Sequence, residues 1–333
     1  MAKFILSKSK AIEQYEKAKE FADIVSYSSK TNPDVTPILE AETDAKFNLH
    51  TVNELKRVKD KSRVYFLAQG WSHEQIKSLL DQGVFRFVVD NETDLDTLLS
   101  YGDISKIQLL LRVRLKERTL KTERYFVFGM PSKVVNKRIK ELKGKVETLG
   151  VHFHRKTQNI AEWNLIHEVE DMLEPEVFEA IDVLDIGGGL PSVYANTNVK
   201  AFDSIYDKIK ELRVWLHSKS IQLMVEPGRF ICAPCVKLVT NIVAVYENNI
   251  IVDASVYNCD TDAFVVPAKL LVEGEGSGKA YVIKGVTPCS MDIFRYRVYL
   301  PEIKDEIVFL NAGAYNFTTD FCDLEKLETE IIE

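Results

Sequence analysis

A rhythm constrains this chain more than any other feature. Between residues 20 and 230, short apolar runs alternate with longer amphipathic stretches, and the pair repeats eight times. The runs are "IVSYSS" (24–29), "AKFNLH" (45–50), "VYFLA" (64–68), "FRFVV" (85–89), "IQLLLRV" (107–113), "GVHFH" (150–154), "DVLDI" (182–186) and "QLMVE" (222–226). The intervening stretches carry helix signals. "SHEQIKSLLDQG" (72–83) opens on a serine N-cap, has Glu and Gln in its first turn and closes on glycine. "NVKAFDSIYDKIKELRVWLHSK" (198–219) has apolar residues at helical spacing. Eight strand–helix units of this regularity predict an α/β fold, a parallel sheet closed into a (β/α)8 TIM barrel. An open doubly wound sheet is the runner-up.

After residue 232 the rhythm changes. "VKLVTNIVAVYE", "NIIVDAS", "KAYVIKG", "RYRVYL" and "DEIVFLN" are strand-like runs separated by "NN", "GEGSG" and "PEIKDE" turns, with no long helix between them. They predict a smaller C-terminal antiparallel β domain. The expected division is a barrel over 1–232 and a β domain over 233–333. A length of 333 residues suits a large barrel with an appendage.

Composition excludes several function classes. A hydrophobic fraction of 46% and a charged fraction of 28% are ordinary for a soluble globular enzyme. A net charge of −7 argues against a nucleic-acid partner, and the densest basic stretch, "KVVNKRIKELKGK" (133–145), has the spacing of a solvated helix face. No apolar run has membrane-spanning length, and "MAKFILSKSK" has too short an apolar core for a signal peptide. Five scattered cysteines do not form a disulfide framework, so a reducing cytoplasm is the expectation. The "CAPC" at 232–235 has no second pair and reads as packed core.

Barrel chemistry gathers where strands end, on the C-terminal face. The eight ends offer Lys30, Asn48, Gln69, Asp90, Arg112, His154, the glycines Gly187, Gly188 and Gly189, and the "EPGR" of Glu226, Gly228 and Arg229. A lysine at a strand mouth, as in "YSSKTNP" (27–33), is ordinarily a snorkelling surface residue. Its rarer use is a Schiff base with a carbonyl group. In "LDIGGGLP" (184–191), three glycines exceed what a turn needs, and amides without Cβ atoms beside them can surround an anion. Arg229 adds a guanidinium suited to phosphate, while the ordinary role of Glu226 is a salt bridge to Arg229. His152 and His154 alternate onto one face and could hold zinc. Only His50 stands at the rim as a further histidine ligand, so no metal is expected.

Together, these motifs resemble the fold-type III pyridoxal-phosphate-dependent decarboxylases. This alanine-racemase-type group includes ornithine, arginine, diaminopimelate and carboxynorspermidine decarboxylases. The resemblance covers nearly the whole chain. "YSSKTNP" is similar to the family's Tyr-Ala-Val-Lys-Ala-Asn-Pro, "HFH" to its histidine strand, and "DIGGG" and "EPGR" are the most specific matches. "TPCSMD" (287–292) is similar to its cysteine motif and "GAYNF" (313–317) to its Gly-Ala-Tyr.

The resemblance implies pyridoxal 5'-phosphate as cofactor, with Lys30 as Schiff-base lysine, His154 stacked on its ring and Glu226 at the pyridine nitrogen. It implies that Gly187, Gly188, Gly189, Gly228, Arg229 and Tyr315 hold the phosphate, with Arg112 and Thr157 also lining the cofactor. It implies a homodimer in which Cys289, from the partner subunit, returns the proton to the α-carbon.

The chain departs from the family in three places. Asn48 replaces an aspartate, "HRKT" offers only Thr157 where glycine and serine are usual, and Ser290 follows the cysteine where an acid is frequent. Asp260 or Asp262, in "YNCDTDAFVVP" (257–267), could supply the missing carboxylate, with Ser290 and Asp292 as further substrate contacts. That segment leans toward carboxynorspermidine decarboxylase, whereas the arginine of "EPGR" is less typical there. The implied activity is decarboxylation of a basic or diamino/polyamine-type amino acid, as in polyamine biosynthesis. An amino-acid racemase is an alternative that Glu226 opposes, because racemases of this group place arginine at the pyridine nitrogen. A non-catalytic homologue is opposed by Lys30, Glu226 and Cys289 and kept open by Asn48.

Overall fold

The computed structural model describes residues 1–115, 127–161 and 163–333. The chain forms two compact units. One comprises Tyr15–Pro191 and Lys200–Gly228; the other comprises Met1–Gln14, Ser192–Val199 and Arg229–Glu333.

With strands numbered along the chain, β1 (Lys3–Ser7) belongs to the second unit, and the next eight close the barrel. They are β2 (Ile24–Ser28), β3 (Lys46–Leu49), β4 (Val64–Phe66), β5 (Arg86–Val89), β6 (Gln108–Arg112), β7 (Thr148–His152), β8 (Val183–Asp185) and β9 (Gln222–Val225). All pair in parallel, and β2 meets β9 to complete the ring. Every expected apolar run is one of these strands. Each is buried along most of its length because both faces of a barrel sheet are covered. Tyr65, Val88, Leu110, Val183 and Met224 form an interior cluster. Burying each such side chain contributes about 1.5–3 kcal/mol. Gly150 is required inside β7, where a Cβ would strike the Leu110 side chain and come within 2.5 Å of Val183 O.

The helices follow their sequence signals. His73–Asp81 begins with a reciprocal cap: Gln75 N donates to Ser72 Oγ at 3.2 Å, and Ser72 N donates to Gln75 Oε1 at 3.1 Å. Gly83 follows it at φ +86°. Phe202–His217 buries Ile205, Ile209, Leu212 and Leu216 on one stripe. The basic stretch forms the helix Ser132–Leu142, with Val135, Ile139 and Leu142 inward and Lys137 and Lys140 exposed.

The second unit is a mixed sheet. Its strands are β1, β10 (Val236–Tyr246), β11 (Asn249–Val252), β12 (Leu271–Val272), β13 (Lys279–Lys284), β14 (Ile293–Leu300), β15 (Glu306–Leu310) and β16 (Glu328–Ile332). The order is β12–β15–β10–β11–β13–β14, with β1 on β10 and β16 on β1. The expectation of an antiparallel sheet holds for most pairs, but β11–β13 and β1–β16 run parallel. Apolar runs carry no direction. Between β11 and β13 the chain has room to cross over, through the short helices Val256–Cys259 and Asp262–Val265. The division also differs at the N-terminus. "KFILS" was expected in the barrel domain, yet it buries Phe4 and Leu6 as a strand against β10.

All five cysteines are free. Cys232 and Cys235 are buried, and Cys235 Sγ donates to Cys232 O at 3.1 Å, consistent with packed core. No helix among the described residues is long and apolar enough to cross a membrane.

Candidate active site

Lys30 lies in the 3₁₀ turn Ser29–Thr31 that ends β2. Its Nζ is 2.7 Å from His50 Nε2, at the end of β3. Burial lowers the Lys30 pKa, and Arg112 adds to this, while Glu226 and Glu54 oppose it. A lysine so placed spends more time as a neutral amine, the form in which nitrogen is a nucleophile. Arg112, at the end of β6, is held by Asp90 through an Nη1–Oδ1 contact of 2.9 Å, and Asp90 Oδ2 also accepts from Gln69 Nε2 at 2.6 Å.

Glu226 follows β9 and is 3% exposed. Its Oε2 lies 3.3 Å from His152 Nε2 and 3.5 Å from His154 Nδ1. Burial alone pushes a carboxyl up, but the two imidazoles outweigh it and hold Glu226 well below the usual range. Asp185 shows the opposite behaviour. Burial, with the Glu226 charge beside it, raises Asp185 far above the usual range. One proton therefore serves the pair and resides on Asp185. Glu226 Oε1 and Asp185 Oδ2 each meet no hydrogen-bond partner among the described residues. Asp185 Oδ1 accepts from Gly187 N at 2.8 Å.

His154 keeps 31% of its side chain exposed, so its ring offers a free face. Gly188 N donates to its Nδ1 at 3.2 Å, which puts the neutral ring's proton on Nε2. Burial lowers its pKa, against the pull of Glu226. His152, His154 and Glu226 bring three ligand-capable atoms within 4.8 Å of one another. The sequence argument against a metal missed Glu226 as a third ligand. The hydrogen bond from Gly188 nevertheless occupies the His154 lone pair that a cation on this side would need.

The glycine loop has a double use. Gly187 and Gly189 take φ +67° and +94°. A Cβ on Gly187 would lie 2.5 Å from Phe153 O, and one on Gly189 would lie 2.8 Å from Lys156 O. The Gly187 and Gly188 amides are committed to Asp185 and His154, so among the described residues it is Gly189 N–H that is left for an anion. Gly228 is needed because a Cβ there would strike Thr31 Oγ1, a buried oxygen that meets no partner among the described residues. Thr157 falls in the turn after β7.

In the other unit, Arg229 is buried, and its Nη1 and Nη2 both face the Asp262 carboxylate, with Nη2–Oδ1 at 2.8 Å. Nη1 also donates to Tyr194 Oη at 2.8 Å, and the Tyr315 ring centre lies 5.3 Å from the guanidinium. Glu226 is thus not the carboxylate on Arg229; Asp262 is. Asp260 is buried nearby, its pKa raised by burial and then by Asp262. Asp292 accepts from Val256 N, Thr287 N and Thr287 Oγ1 at 2.8, 3.0 and 2.6 Å, which makes it the clamp of the loop carrying Cys289 and Ser290. Cys289 is half-buried and Ser290 exposed. Sequence reasoning missed Asp185, His152 as a Glu226 partner and His50 as a Lys30 partner. Period-two spacing flags His50, which lies two residues beyond buried Asn48.

Residues 8–233 match the family model described as pyridoxal-dependent decarboxylase, pyridoxal binding domain. A diaminopimelate decarboxylase of Campylobacter jejuni is 23% identical over 322 aligned residues, covering 88% of this chain and 79% of that protein. An antizyme inhibitor 2 of Xenopus laevis is 25% identical over 83% of this chain and 67% of its own. Among solved structures, the lysine/ornithine decarboxylase of Vibrio vulnificus, complexed with putrescine, superposes with a TM-score of 0.82 at 24% identity. That match covers 100% of this chain and 94% of the other.

Proposed function

This chain belongs to the pyridoxal-dependent decarboxylase family, and from that premise we propose that its substrate is a basic or diamino amino acid. It is an amino-acid decarboxylase, and pyridoxal phosphate is its cofactor. The observation that carries the site reading is the group at the barrel mouth: a lysine of lowered pKa, an ionised Glu226 with an oxygen that meets no partner among the described residues, and a histidine with an open face. These residues fit the cofactor. Lys30 would hold it covalently, His154 would pack on its ring, and Glu226 would keep a proton on the ring nitrogen. The Gly189 amide would serve the phosphate. When bound, the cofactor supplies an electron sink for the breaking bond to the α-carboxylate. Among the substrate contacts, Asp260 carries the reading better than Asp262 or Asp292, whose oxygens are already engaged.

A basic substrate is supported by the names of the relatives, a diaminopimelate decarboxylase and a lysine/ornithine decarboxylase. Ornithine, lysine, arginine, diaminopimelate and carboxynorspermidine should be offered in turn to the protein loaded with cofactor. At least one should release carbon dioxide in step with amine product. Inversion of the α-carbon without carbon dioxide would mean a racemase. Neither reaction would mean a non-catalytic homologue, a reading favoured by the likeness to a relative named as an inhibitor.

A homodimer with shared sites is part of the same proposal, supported by the resemblance of "TPCSMD" and by the Asp292 clamp on the loop that carries the half-buried Cys289. Lys30→Ala and Cys289→Ala proteins, each nearly inactive, should regain roughly a quarter of wild-type activity after random subunit exchange. Half of the dimers would then carry one intact site. Demonstrated exchange without recovery would remove the shared-site model.

A further inference from the structure

The parallel register sets Ser26 beside Lys46 and Ser28 beside Asn48, and Lys30 and His50 each follow two residues beyond that last pair. Lys30 Nζ and His50 Nε2 are 2.7 Å apart. The imidazole is held from its own backbone: Glu54 Oε2 accepts from His50 N at 2.6 Å and from Thr51 N at 2.9 Å, within a reciprocal cap. The other ring nitrogen, Nδ1, is buried and meets no partner among the described residues. Most of what surrounds the lysine amine is protein, so a side chain rather than bulk water is its nearest proton acceptor.

We propose that His50 is a further catalytic residue, which takes the proton from the Lys30 ammonium whenever the lysine must act as a neutral amine. This rests on the reading of Lys30 as the cofactor-holding lysine. That lysine needs a free amine when the cofactor is loaded and again when each turnover closes. An ammonium has no lone pair, so the Nζ–H bond must break first, its electrons remaining on nitrogen. The lone pair of His50 Nε2 forms the new N–H bond, and the positive charge passes from lysine to ring. A neutral ring that accepts at Nε2 carries its own proton on Nδ1, so after the transfer both nitrogens bear hydrogen. The proton then returns from Nε2 to the lysine nitrogen. No oxidant or further reactant is needed.

The charged and titratable groups facing the pair set the balance. Glu226 and Glu54 favour positive charge on Lys30, and Arg112 opposes it. Burial, then the Lys30 charge and more weakly His154, hold His50 down to about 4, with Glu226 opposing. At neutral pH the imidazole is therefore empty and able to receive the lysine's proton. The transfer is reversible, as suits a relay rather than a stored charge.

The test uses the protein stripped of cofactor. On mixing with pyridoxal phosphate, the rise in visible absorbance reports capture by lysine, and borohydride reduction followed by peptide mapping identifies which lysine. His50→Ala should slow capture about 10²-fold at neutral pH, shift its rise to more alkaline pH and respond to added imidazole. His50→Gln keeps an acceptor oxygen but cannot carry the proton, so it should remain slow. Capture by His50→Ala at the wild-type rate across the pH range would overturn the proposal. So would wild-type speed in His50→Gln, which would leave only a positioning contact. Mapping separates the two levels: wild-type label on Lys30 with unaffected variants removes the role of His50 alone, whereas label elsewhere removes the reading of Lys30.

Discussion

Glu226→Gln is expected to lower kcat by about 10²–10³-fold while changing cofactor affinity little. The carboxylate matters most as charge develops in the transition state, when the ring nitrogen must stay protonated. An amide is isosteric but carries no charge with which to hold that proton. Asp185→Asn supplies the contrast. Asp185 is the protonated member of the pair, and an asparagine can still accept from Gly187 N and donate toward Glu226. Its turnover should stay within about tenfold of wild type. The sign of the pH dependence follows from the same pair. Because the imidazoles depress the Glu226 pKa, its charge persists as pH falls through the ordinary glutamate value of about 4.3 and is lost only below it. Turnover measured beside a cofactor titration checks all of this. Near-normal kcat in Glu226→Gln, or equal damage from Asp185→Asn, contradicts the assignment.

Lys30→Ala is expected to lose the covalent link to the cofactor, and with it activity by on the order of 10³-fold or more. Lys30→Arg sharpens the result. A guanidinium keeps the positive charge and the length but is never deprotonated, so it cannot act as the amine. If Lys30 served only to balance Glu226, the arginine variant would retain function. The structure supports the nucleophile, because burial and Arg112 push the lysine toward its neutral form. Steady-state rates of the two variants, with spectra taken alongside, separate the roles.

The barrel was legible because each strand declares itself locally. The runs from "IVSYSS" to "QLMVE" are bounded by helix signals such as the Ser72 cap and Gly83. Barrel geometry then assigns strand ends to one rim, and that placed Lys30, Arg112, His154 and Glu226 together without coordinates. What stayed hidden depends on register or on distant pairing. Nothing local says that Asp185 shares a proton with Glu226, or that Arg229 closes on Asp262, 33 residues away. His50 was visible as a rim histidine, but its contact with Lys30 follows only from the β2–β3 register. The glycines were read as a phosphate cradle, and two of their amides are spent on Asp185 and His154, which alternation could not foresee. Strand direction in the second unit was hidden for the same reason: apolar runs show where strands lie and not which way they run.

The central claim is that Lys30, at the end of β2, is the residue that carries the cofactor. Borohydride reduction of the native loaded protein, followed by digestion and mass mapping, tests it without any substitution. The account predicts one pyridoxyl-modified lysine per chain, on the peptide containing "YSSKTNP". A label on any other lysine, or a protein that binds the cofactor and yields no reducible adduct, would contradict it.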